Sequence, residues 1–246
     1  MPGVGDSTPF EINIRRKAYR NSDGHTVEAV RNLKISIEPY TFVSLIGPSG
    51  CGKTTTLRIL LGLDSEFDGD IRPEPSKSSV GVVFQEPRLL PWRTVQENVS
   101  LALRSSGALG TLGALFADLG LEAWRDHYPR ELSLGMARRA ALARALAIEP
   151  ELLVLDEPFV SLDERGAAEV RAILSRLVAS RGTTVVLVTH NLREALELAD
   201  RIVLLSPRPA SVLADIRLTT AREVRTDDWI EEGRRDLARR FAAALE

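Results

Sequence analysis

The stretch Thr41–Leu60, TFVSLIGPSGCGKTTTLRIL, decides the fold of this 246-residue chain. Its first six residues form a mostly apolar run, as a buried strand does. The next segment, GPSGCGKTT at Gly47–Thr55, matches the pattern G-x-x-x-x-G-K-[ST], and a helical pattern with Leu57, Leu60 and Leu61 follows it. A strand, a glycine-rich loop and a helix in this order cradle phosphate groups. The stretch therefore predicts that the chain binds a nucleoside triphosphate.

The residue types in this loop suit the chemistry of phosphate binding. Glycines let the backbone N–H groups wrap around the phosphates. Lys53 is expected to reach the outer phosphates, and the Thr54 hydroxyl can ligate Mg²⁺. The predicted nucleotide-binding residues of the loop are Gly47, Pro48, Ser49, Gly50, Cys51, Gly52, Lys53, Thr54 and Thr55.

Cys51 is the only cysteine of the chain, and its place in the loop allows two interpretations. Helix-terminal N–H groups and Lys53 favour a reactive thiolate. A small residue that fills a tight loop explains the same position equally well. A single cysteine excludes an intrachain disulfide and is typical of a reducing compartment.

Composition and hydropathy exclude several classes of protein. The chain has 32 Lys and Arg against 34 Asp and Glu, a net charge of −2, so no basic excess points to a nucleic-acid partner. No apolar run approaches the roughly eighteen residues of a membrane span. The N-terminus, MPGVGDSTPFEINIRR, lacks the apolar core of a signal peptide. We expect a soluble, cytoplasmic protein that does not cross a membrane by itself.

Short apolar runs alternate with helical patterns along the chain, which predicts an α/β fold with a mostly parallel sheet. Runs that are apolar on both faces are typical of buried parallel strands. A helical repeat of apolar residues covers Glu164–Ser180. The five strand candidates are Thr41–Ile46, Val80–Phe84, Glu151–Asp156, Thr183–His190 and Arg201–Leu205.

Three further segments complete the expected architecture, a single domain over residues 1–246. The first forty residues alternate loosely around NSDGHT and predict an antiparallel β flap. Residues 86–150 lack strand signals and predict a helical lobe, inserted into a core lobe of residues 1–85 and 151–220. The tail, residues 221–246, predicts a charged helix. Four residues of that helix are available for packing: Trp229, Ile230, Leu237 and Phe241.

An acidic pair ends one of the predicted strands. In ELLVLDEP, four apolar residues precede Asp156 and Glu157. A phosphate loop of this kind requires a metal-holding carboxylate at the end of a neighbouring strand, so we expect Asp156 to hold Mg²⁺ directly or through water. Glu157 lies one residue further out, where a carboxylate can activate an attacking water.

Two more polar residues follow predicted strands. Gln85 comes directly after VGVVF, and His190 ends TTVVLVTH. The carboxyl ends of parallel strands meet at one edge of a sheet, so we expect both side chains to face the phosphates. A lone histidine at a strand end more often has a structural role. Two polar residues at the same sheet edge are stronger evidence for a phosphate-binding role than either residue alone.

The segment ELSLGM, Glu131–Met136, raises the question of a second phosphate site. Ser133 is a good N-cap for the helical run that begins at Met136, and Gly135 offers bare backbone. A helix N-terminus also presents unpaired N–H groups to an anion. From these residues alone, the segment can be either a simple helix cap or a phosphate-binding site.

In order and spacing, these motifs resemble those of the ATPase subunits of ABC transporters, with a phosphate-loop nucleoside triphosphatase core. The resemblance covers about Phe10 to Leu218. It rests on GPSGCGKTT, Gln85, LSLGM, LLVLDEP, SLD at Ser161–Asp163 and His190. The segments QEPRLLPWRTVQENV, YPRELS, DEPFVSLD and LLSPRPA are most similar to importer subunits of the nitrate, sulfonate and taurine group.

The resemblance implies that ATP and Mg²⁺ are the ligands and that the chain hydrolyses ATP to energise an importer. It implies Glu157 as the general base and His190 as the residue that holds the γ-phosphate and water. Gln85 is implied to touch Mg²⁺ and the attacking water. The implied metal ligands are therefore Thr54, Gln85 and Asp156.

Other implied roles involve a second subunit. Tyr19 stands at the position of the aromatic that stacks on adenine. Ser133 and Gly135 would contact the γ-phosphate of ATP bound to a second copy, and Asp163 would lie at that dimer interface. The implied partners are a second ATPase subunit, two transmembrane permease subunits and, through the complex, a solute-binding protein, with no nucleic acid. The implied location is peripheral, on the cytoplasmic face of the inner membrane.

One departure from the family pattern concerns Leu134, which stands where the family usually has glycine. Ala137 and Arg138 also replace the usual Arg-Gln. We expect the leucine to add bulk and to remove backbone freedom, which would weaken dimer closure. A partner ATPase with an intact motif is the other explanation.

Two alternative functions are compatible with parts of the sequence. A non-transport ABC ATPase of the DNA-repair class would insert a long coiled coil, but only 80 positions separate the phosphate loop from Ser133. Translation factors of this superfamily carry two cassettes, and this chain has one. Leu134 weakly favours a regulatory ATPase with weakened catalysis, whereas Lys53, Glu157 and His190 are intact.

Overall fold

The computed structural model describes residues 8–20, 23–103 and 112–242. Parts of three predicted segments lie outside these ranges: residues 21–22 of NSDGHT, 104–105 of TVQENVSLALRS and 243–246 of the tail. The strands are β1 (Phe10–Arg20), β2 (Thr26–Ile37), β3 (Phe42–Ile46), β4 (Asp68–Arg72), β5 (Val80–Val83), β6 (Leu152–Asp156), β7 (Thr184–Thr189), β8 (Arg201–Leu205) and β9 (Val212–Arg217). The helices are α1 (Lys53–Leu60), α2 (Val95–Ser100), α3 (Leu112–Asp118), α4 (Leu134–Leu146), α5 (Glu164–Arg181), α6 (Leu192–Leu198) and α7 (Asp227–Arg240).

Contacts divide the chain into two compact units. The first comprises Met1–Ser78 with Val186–Glu246, and the second is Ser79–Val185. This division follows contact density alone, so the predicted boundaries of the core lobe, helical lobe and tail stay a prediction.

An antiparallel sheet with the strand order β2-β1-β4 forms one part of the first unit. Phe10 of β1 pairs with Ile37 of β2, and Ile12 pairs with Ile35. These four side chains are buried, whereas the intervening Glu11 is exposed, because successive residues of a strand point to opposite faces. The predicted antiparallel flap is confirmed.

The flap contains a third strand that the sequence analysis did not predict. In β4, DGDIR has little β propensity, but it pairs antiparallel with β1. The Asn13 amide donates to the Asp70 carboxylate at 3.0 Å, and Arg15 forms an ion pair with Asp68. Side-chain hydrogen bonds and an ion pair therefore join β4 to β1 in addition to the backbone hydrogen bonds.

The first unit also contains strands in the order β7-β3-β8-β9. β3 pairs parallel with β8, and every residue of β3 is buried, as expected for a strand covered on both faces. β9 pairs antiparallel with β8, and its residues are alternately half-buried and exposed. Its sequence therefore has no continuous apolar run from which a strand could be predicted. The predicted strands of this unit are confirmed to within a residue at their ends.

The second unit contains the parallel pair β5 and β6, in which Val80 lies opposite Leu152. Between these two strands the described residues form helices and short 3₁₀ turns and no strand, which confirms the predicted helical insert. Helix α2 begins at a capping box in which Thr94 and Glu97 exchange hydrogen bonds. Helix α5 covers the predicted segment with one more residue. The mixed α/β fold is thus confirmed.

Within the described ranges, no helix is both long enough and apolar enough to span a membrane.

Candidate nucleotide site

The phosphate-binding motif Gly47–Thr55 follows β3 in the first unit, and its last three residues form the start of α1. Gly52 ends the loop with φ at 129°, and a Cβ atom there would lie 2.6 Å from the Ala29 carbonyl oxygen, so only glycine fits. No side chain caps α1, and its first turn contains no acidic residue. The N–H groups at this helix start are therefore left for an anion, as phosphate binding requires.

Lys53 folds back onto the loop that it follows. Its Nζ donates to the carbonyl oxygens of Gly47 at 2.6 Å and Pro48 at 3.0 Å, and the residue is only 7% exposed. These carbonyl groups satisfy a buried ammonium that has no carboxylate partner among the described residues. Ser49, Gly50 and Thr54 are exposed on the same loop.

Cys51 is buried inside the loop, with 1% of its surface exposed. Its Sγ lies 2.8 Å from the position that a Cβ on Gly47 would occupy, so the thiol fills the space left by that glycine. Of the two interpretations, this packing favours the small space-filling residue over a reactive thiolate.

Tyr19, near the end of β1, lies next to the phosphate loop. Its hydroxyl donates to Asp64 Oδ2 at 3.1 Å and lies 3.4 Å from Thr55 Oγ1, and the Lys17 ammonium lies 4.7 Å from the ring centroid. The ring is 39% exposed. The structure thus brings Tyr19 to the loop, and its stacking on adenine stays a prediction.

A buried ion pair supports Tyr19, and sequence analysis missed it. Lys17 is 3% exposed and donates to Asp64 Oδ1 and to the Glu66 carbonyl oxygen, both at 2.7 Å. Burial acts to raise the pKa of Asp64, but hydrogen bonds from Lys17, the Glu66 amide and Tyr19 outweigh it, so that the pKa lies below its ordinary value. Lys17 and Asp64 lie 47 positions apart, so no local sequence signal predicts this pair.

Arg208 is a second residue that sequence analysis did not place at the site. Its Nε donates to the Gly50 carbonyl oxygen at 3.1 Å. Two residues further on, the Ala210 amide donates to the Ala29 carbonyl oxygen and the Ala210 carbonyl accepts from the Arg31 amide. The segment LLSPRPA therefore contacts both the phosphate loop and β2. The only sequence signal for this segment was its similarity to the importer subunits.

His190 follows β7 directly and is exposed. The two residues that flank His190 form hydrogen bonds to Glu194 of α6, which is 7% exposed. Thr189 Oγ1 donates to one carboxylate oxygen, and Asn191 Nδ2 donates to the other at 3.2 Å. Asn191 also caps α6. The backbone on both sides of His190 is therefore held in place.

In the second unit, Asp156 ends β6 and is half-buried. Glu157 follows it with φ at 46°, in the left-handed region that residues other than glycine seldom adopt. Gln85 lies two residues beyond β5 and is exposed. All three residues lie where strands end, as the sequence predicts.

Ser133 is the N-cap of α4, and its Oγ accepts a hydrogen bond from the Met136 amide at 3.3 Å. Gly135 does not have positive φ, and a Cβ there would meet nothing nearer than Leu162 Cδ2 at 4.0 Å. Nothing within the described chain requires glycine at this position. Bare backbone there suits a ligand that approaches from outside the chain.

Leu134 is the first residue of α4 and is 40% exposed. Its backbone does not have positive φ, so a leucine is compatible with the conformation. The expectation that leucine removes a needed backbone freedom is wrong for this chain, because a helical residue does not use that freedom. The expectation about its bulk stays a prediction.

One cavity of ≈ 250 Å³ brings together the three residues predicted to serve a second copy. Ser133 and Gly135 line it from the start of α4, and Asp163 lines it from the start of α5. Asp163 is itself the N-cap of α5, since its Oδ1 accepts from the Gly166 amide at 3.1 Å. Two helix N-termini thus border one cavity within the second unit.

Comparison with known proteins agrees with this geometry. The family model described as "ABC transporter" matches residues 30–160, more than half of the chain. The chain is 38% identical over 218 residues to the aliphatic sulfonates import ATP-binding protein SsuB 2 of Pseudomonas syringae pv. tomato, which covers 88% of this chain and 91% of that protein. It is 38% identical over 227 residues to the SsuB protein of Bacillus subtilis, with 89% of each chain covered.

Solved structures give the same family. The dimeric structure of MJ0796, a bacterial ABC transporter cassette, superposes with a TM-score of 0.74 at 29% identity and covers 86% of this chain and 100% of that one. A post-hydrolysis state of the same cassette, bound to ADP and Pi, superposes equally well at 28% identity. The phosphate loop, the strand-end residues and these matches lead to one conclusion: the chain is an ATPase that belongs to the ABC transporter family.

Proposed function

We propose that this ATPase energises the import of an aliphatic sulfonate across the inner membrane. The observation that carries the proposal is the 38–41% identity, over most of the chain, to import subunits named for aliphatic sulfonates. The nitrate and taurine importers remain the nearest alternatives. The relatives named above are import subunits, so these comparisons do not support a non-transport or regulatory ATPase.

The proposed roles in nucleotide binding follow the residues of each unit. The phosphate loop binds the phosphates through the uncapped start of α1, and Lys53 turns from the Gly47 and Pro48 carbonyl groups toward them. Tyr19 stacks on adenine through its exposed ring. The loop residues involved are Gly47, Pro48, Ser49, Gly50, Cys51, Gly52, Lys53, Thr54 and Thr55.

Mg²⁺ suits the predicted donors of the site. Thr54 supplies a hydroxyl oxygen, Gln85 an amide oxygen and Asp156 a carboxylate, and such oxygen donors are the ones that Mg²⁺ prefers. Thr54 and Gln85 are exposed and Asp156 is half-buried, so a hydrated ion can reach each of them. The bound ion would neutralise charge on the phosphates.

In the proposed reaction, Glu157 accepts a proton from the attacking water as general base. His190 holds the γ-phosphate and this water, and Gln85 contacts the same water. Ser133, Gly135 and Asp163 act toward a second copy of the chain, and the cavity that they share supports this role. We therefore propose a homodimer of two such subunits.

The remaining partners are two permease subunits and a solute-binding protein that acts through the complex. The chain would lie at the cytoplasmic face of the membrane as a peripheral subunit. A transport function of this kind separates the choice of solute from the ATPase, because the permease and the binding protein contact the solute.

Growth on defined sulfur sources tests the proposal. The gene is deleted in its own organism, and the strain is complemented with the wild-type chain or with Lys53→Ala, which lacks the predicted phosphate contact. We expect the deletion strain to lose growth on an unsubstituted alkanesulfonate as the sole sulfur source while growth on sulfate continues, and only the wild-type chain to restore it. Loss of growth confined to taurine, or to nitrate as the nitrogen source, would contradict the sulfonate assignment.

A further inference from the structure

Arg138 is a buried arginine of α4, five positions after Ser133, and is 4% exposed. Its guanidinium donates through one terminal nitrogen to the Phe84 carbonyl oxygen at 3.2 Å and through the other to the Val160 carbonyl oxygen at 3.0 Å. Phe84 lies 54 residues before Arg138 and Val160 lies 22 residues after it. One side chain therefore joins three distant parts of the second unit.

The two acceptor residues directly precede predicted functional residues. Phe84 comes before Gln85, and Val160 comes before the segment Ser161–Asp163. That segment borders the cavity whose other side is the start of α4. Arg138 thus ties the helix that begins at Ser133 to two loops to which the proposed function assigns roles.

A second arginine of the same helix holds the other end of the Gln85 loop. Arg144 donates to the carbonyl oxygens of Pro87 at 2.9 Å and Arg88 at 2.7 Å. The segment from Phe84 to Arg88 is therefore attached to α4 at both ends, with Gln85 between the attachments. Movement of α4 along or across its axis would carry this segment with it.

The surroundings of Arg138 argue against a role in stability alone. Arg138 lines a small cavity together with apolar side chains, among them Leu142, Leu155 and Phe159. Among the described residues no carboxylate lies within ion-pair distance of the guanidinium, and its Nε has no hydrogen-bond partner. Burial lowers the pKa of Arg138, and the Glu86 carboxylate offsets this in part. Burying this charge is costly because no ion pair at contact distance offsets the lost hydration, so an apolar residue at this position would be less costly.

We propose that Arg138 is a positioning residue that couples the start of α4 to Gln85 and to Ser161–Asp163. The inference rests on the proposed roles of those residues. The planar guanidinium of Arg138 carries five N–H donors and reaches two carbonyl groups at once, which a single-nitrogen donor cannot do. When the Ser133 end of α4 engages a ligand, the guanidinium transmits the displacement to both loops.

Two substitutions separate positioning from stability. Arg138→Met keeps an unbranched apolar stem but removes both donations. Arg138→Gln keeps an amide donor and is the usual residue in the resembling family. Arg176→Gln is the matched control, because Arg176 is an exposed arginine that donates to one carbonyl group, that of Asp118. Each purified chain is measured for Tm, for ATP affinity and for kcat and KM of ATP hydrolysis.

We expect Arg138→Met to lower kcat about tenfold at unchanged KM and ATP affinity, with Tm equal to or above the wild-type value. Arg138→Gln keeps one amide nitrogen as a donor and should recover part of kcat, and Arg176→Gln should match the wild type. A kcat for Arg138→Met within about twofold of the wild type would overturn the proposal. So would a loss of kcat that accompanies a loss of Tm, or equal losses in the Met and Gln variants.

A double-substitution cycle separates failure of this inference from failure of the proposed function. If Arg138 acts through Gln85, Arg138→Met should cost less in a Gln85→Ala background than in the wild type. Full additivity of the two losses would contradict the coupling. An unchanged kcat for Gln85→Ala alone would instead contradict the proposed role of Gln85.

Discussion

Glu157 leaves β6 in the left-handed region, with φ at 46°, directly after the half-buried Asp156. A non-glycine residue in this conformation costs about 1–3 kcal/mol and persists where the surrounding structure imposes it. Such strain is frequent at functional sites, because it aims a side chain that a relaxed strand end would direct elsewhere. The backbone conformation thus supports the role that the sequence predicts for Glu157.

Glu157→Gln should bind ATP with Mg²⁺ like the wild type and hydrolyse it about 10²–10⁴ times more slowly, because the amide cannot accept the proton of the attacking water. Steady-state ATP hydrolysis and sedimentation with ATP measure the two effects. The variant should also accumulate as an ATP-bound dimer. Glu151→Gln is the control, since Glu151 is exposed and directly precedes the opposite end of the same strand. Wild-type turnover in Glu157→Gln, measured in the complex with its partners, would remove Glu157 from the mechanism.

At the scale of elements, helix α4 has Ser133, Leu134 and Gly135 at its start. Further along the same helix, the buried Arg138 and the half-buried Arg144 bind two loops. Leu134 fits this helix start without backbone strain, so its effect in a dimer can come only from the bulk of an exposed side chain. Two substitutions test whether bulk is the cause. Alanine removes the bulk of the leucine and keeps high helix propensity, whereas glycine removes the bulk and lowers the helix propensity.

Leu134→Ala and Leu134→Gly, each in the Glu157→Gln background, should therefore both strengthen ATP-driven dimerisation, by on the order of 1 kcal/mol. Affinity of the monomer for ATP should stay nearly unchanged. Sedimentation over a range of protein concentrations with ATP measures the change. If neither variant dimerises more strongly, the leucine is accommodated in the dimer, and the hypothesis of a partner with an intact motif loses its support. A gain in the glycine variant alone would contradict bulk as the cause.

The flap depends on another element-scale contact, the buried pair between Lys17 of β1 and Asp64. Asp64→Asn should lower the free energy of unfolding by about 3 kcal/mol at pH 7, because it leaves the Lys17 ammonium buried without a counter-charge. The pKa of Asp64 is lower in the folded chain than in the unfolded chain. The stability from this group is therefore fully present above the unfolded pKa and is lost as the pH falls through the folded pKa.

Urea unfolding of the wild type and of Asp64→Asn, at intervals of about 1 pH unit between pH 3 and pH 7, measures the difference in their free energy of unfolding. The gap between wild type and Asp64→Asn should stay constant from pH 7 to about pH 5 and narrow below about pH 4. Asp68→Asn is the matched control on the same flap, because its ion pair with Arg15 is exposed, and it should cost much less at pH 7. A gap that widens on acidification would contradict the direction of the Asp64 pKa.

At the scale of the whole molecule, the C-terminal segment stabilises the first unit. Helix α7 packs on α6: Ile230 and Leu237 are 4% exposed, and Gly233 lies against the Leu196 side chain. Ahead of α7, Arg225 donates to the Leu196 and Ala199 carbonyl oxygens, both at 2.7 Å, and so satisfies the end of α6. Since α6 begins next to His190, the tail supports the helix that positions this residue.

Ile230→Ala should destabilise the chain by about 2–4 kcal/mol, because it removes a buried side chain from the α6–α7 contact. Thermal or urea unfolding of the full chain measures the loss. Arg235→Ala, on the exposed face of the same helix, should change the stability by no more than about 0.5 kcal/mol. Equal stability of Ile230→Ala and the wild type would show that α7 contributes nothing to the folded unit.

The sequence by itself determined the elements whose signal is local. The spacing of glycine and lysine predicts the phosphate loop, continuous apolar runs predict the buried strands, and the residue type at Ser133 predicts a helix cap. The residues at strand ends, Asp156, Glu157 and His190, follow from the strands that precede them. These signals act over a few neighbouring residues, so they can be read in one dimension.

Only the tertiary structure decided the features that depend on contacts between distant residues. Strand β4 and edge strand β9 lack apolar runs and form because partners pair with them. Lys17 with Asp64, Arg208 with Gly50, and Arg138 with Phe84 each join residues 47 or more positions apart. A long charged side chain in a sequence is typical of an exposed surface. It is the folded chain that buries Lys17 and Arg138 and surrounds them with carbonyl and carboxylate oxygens, since only packing brings those acceptors within hydrogen-bonding distance.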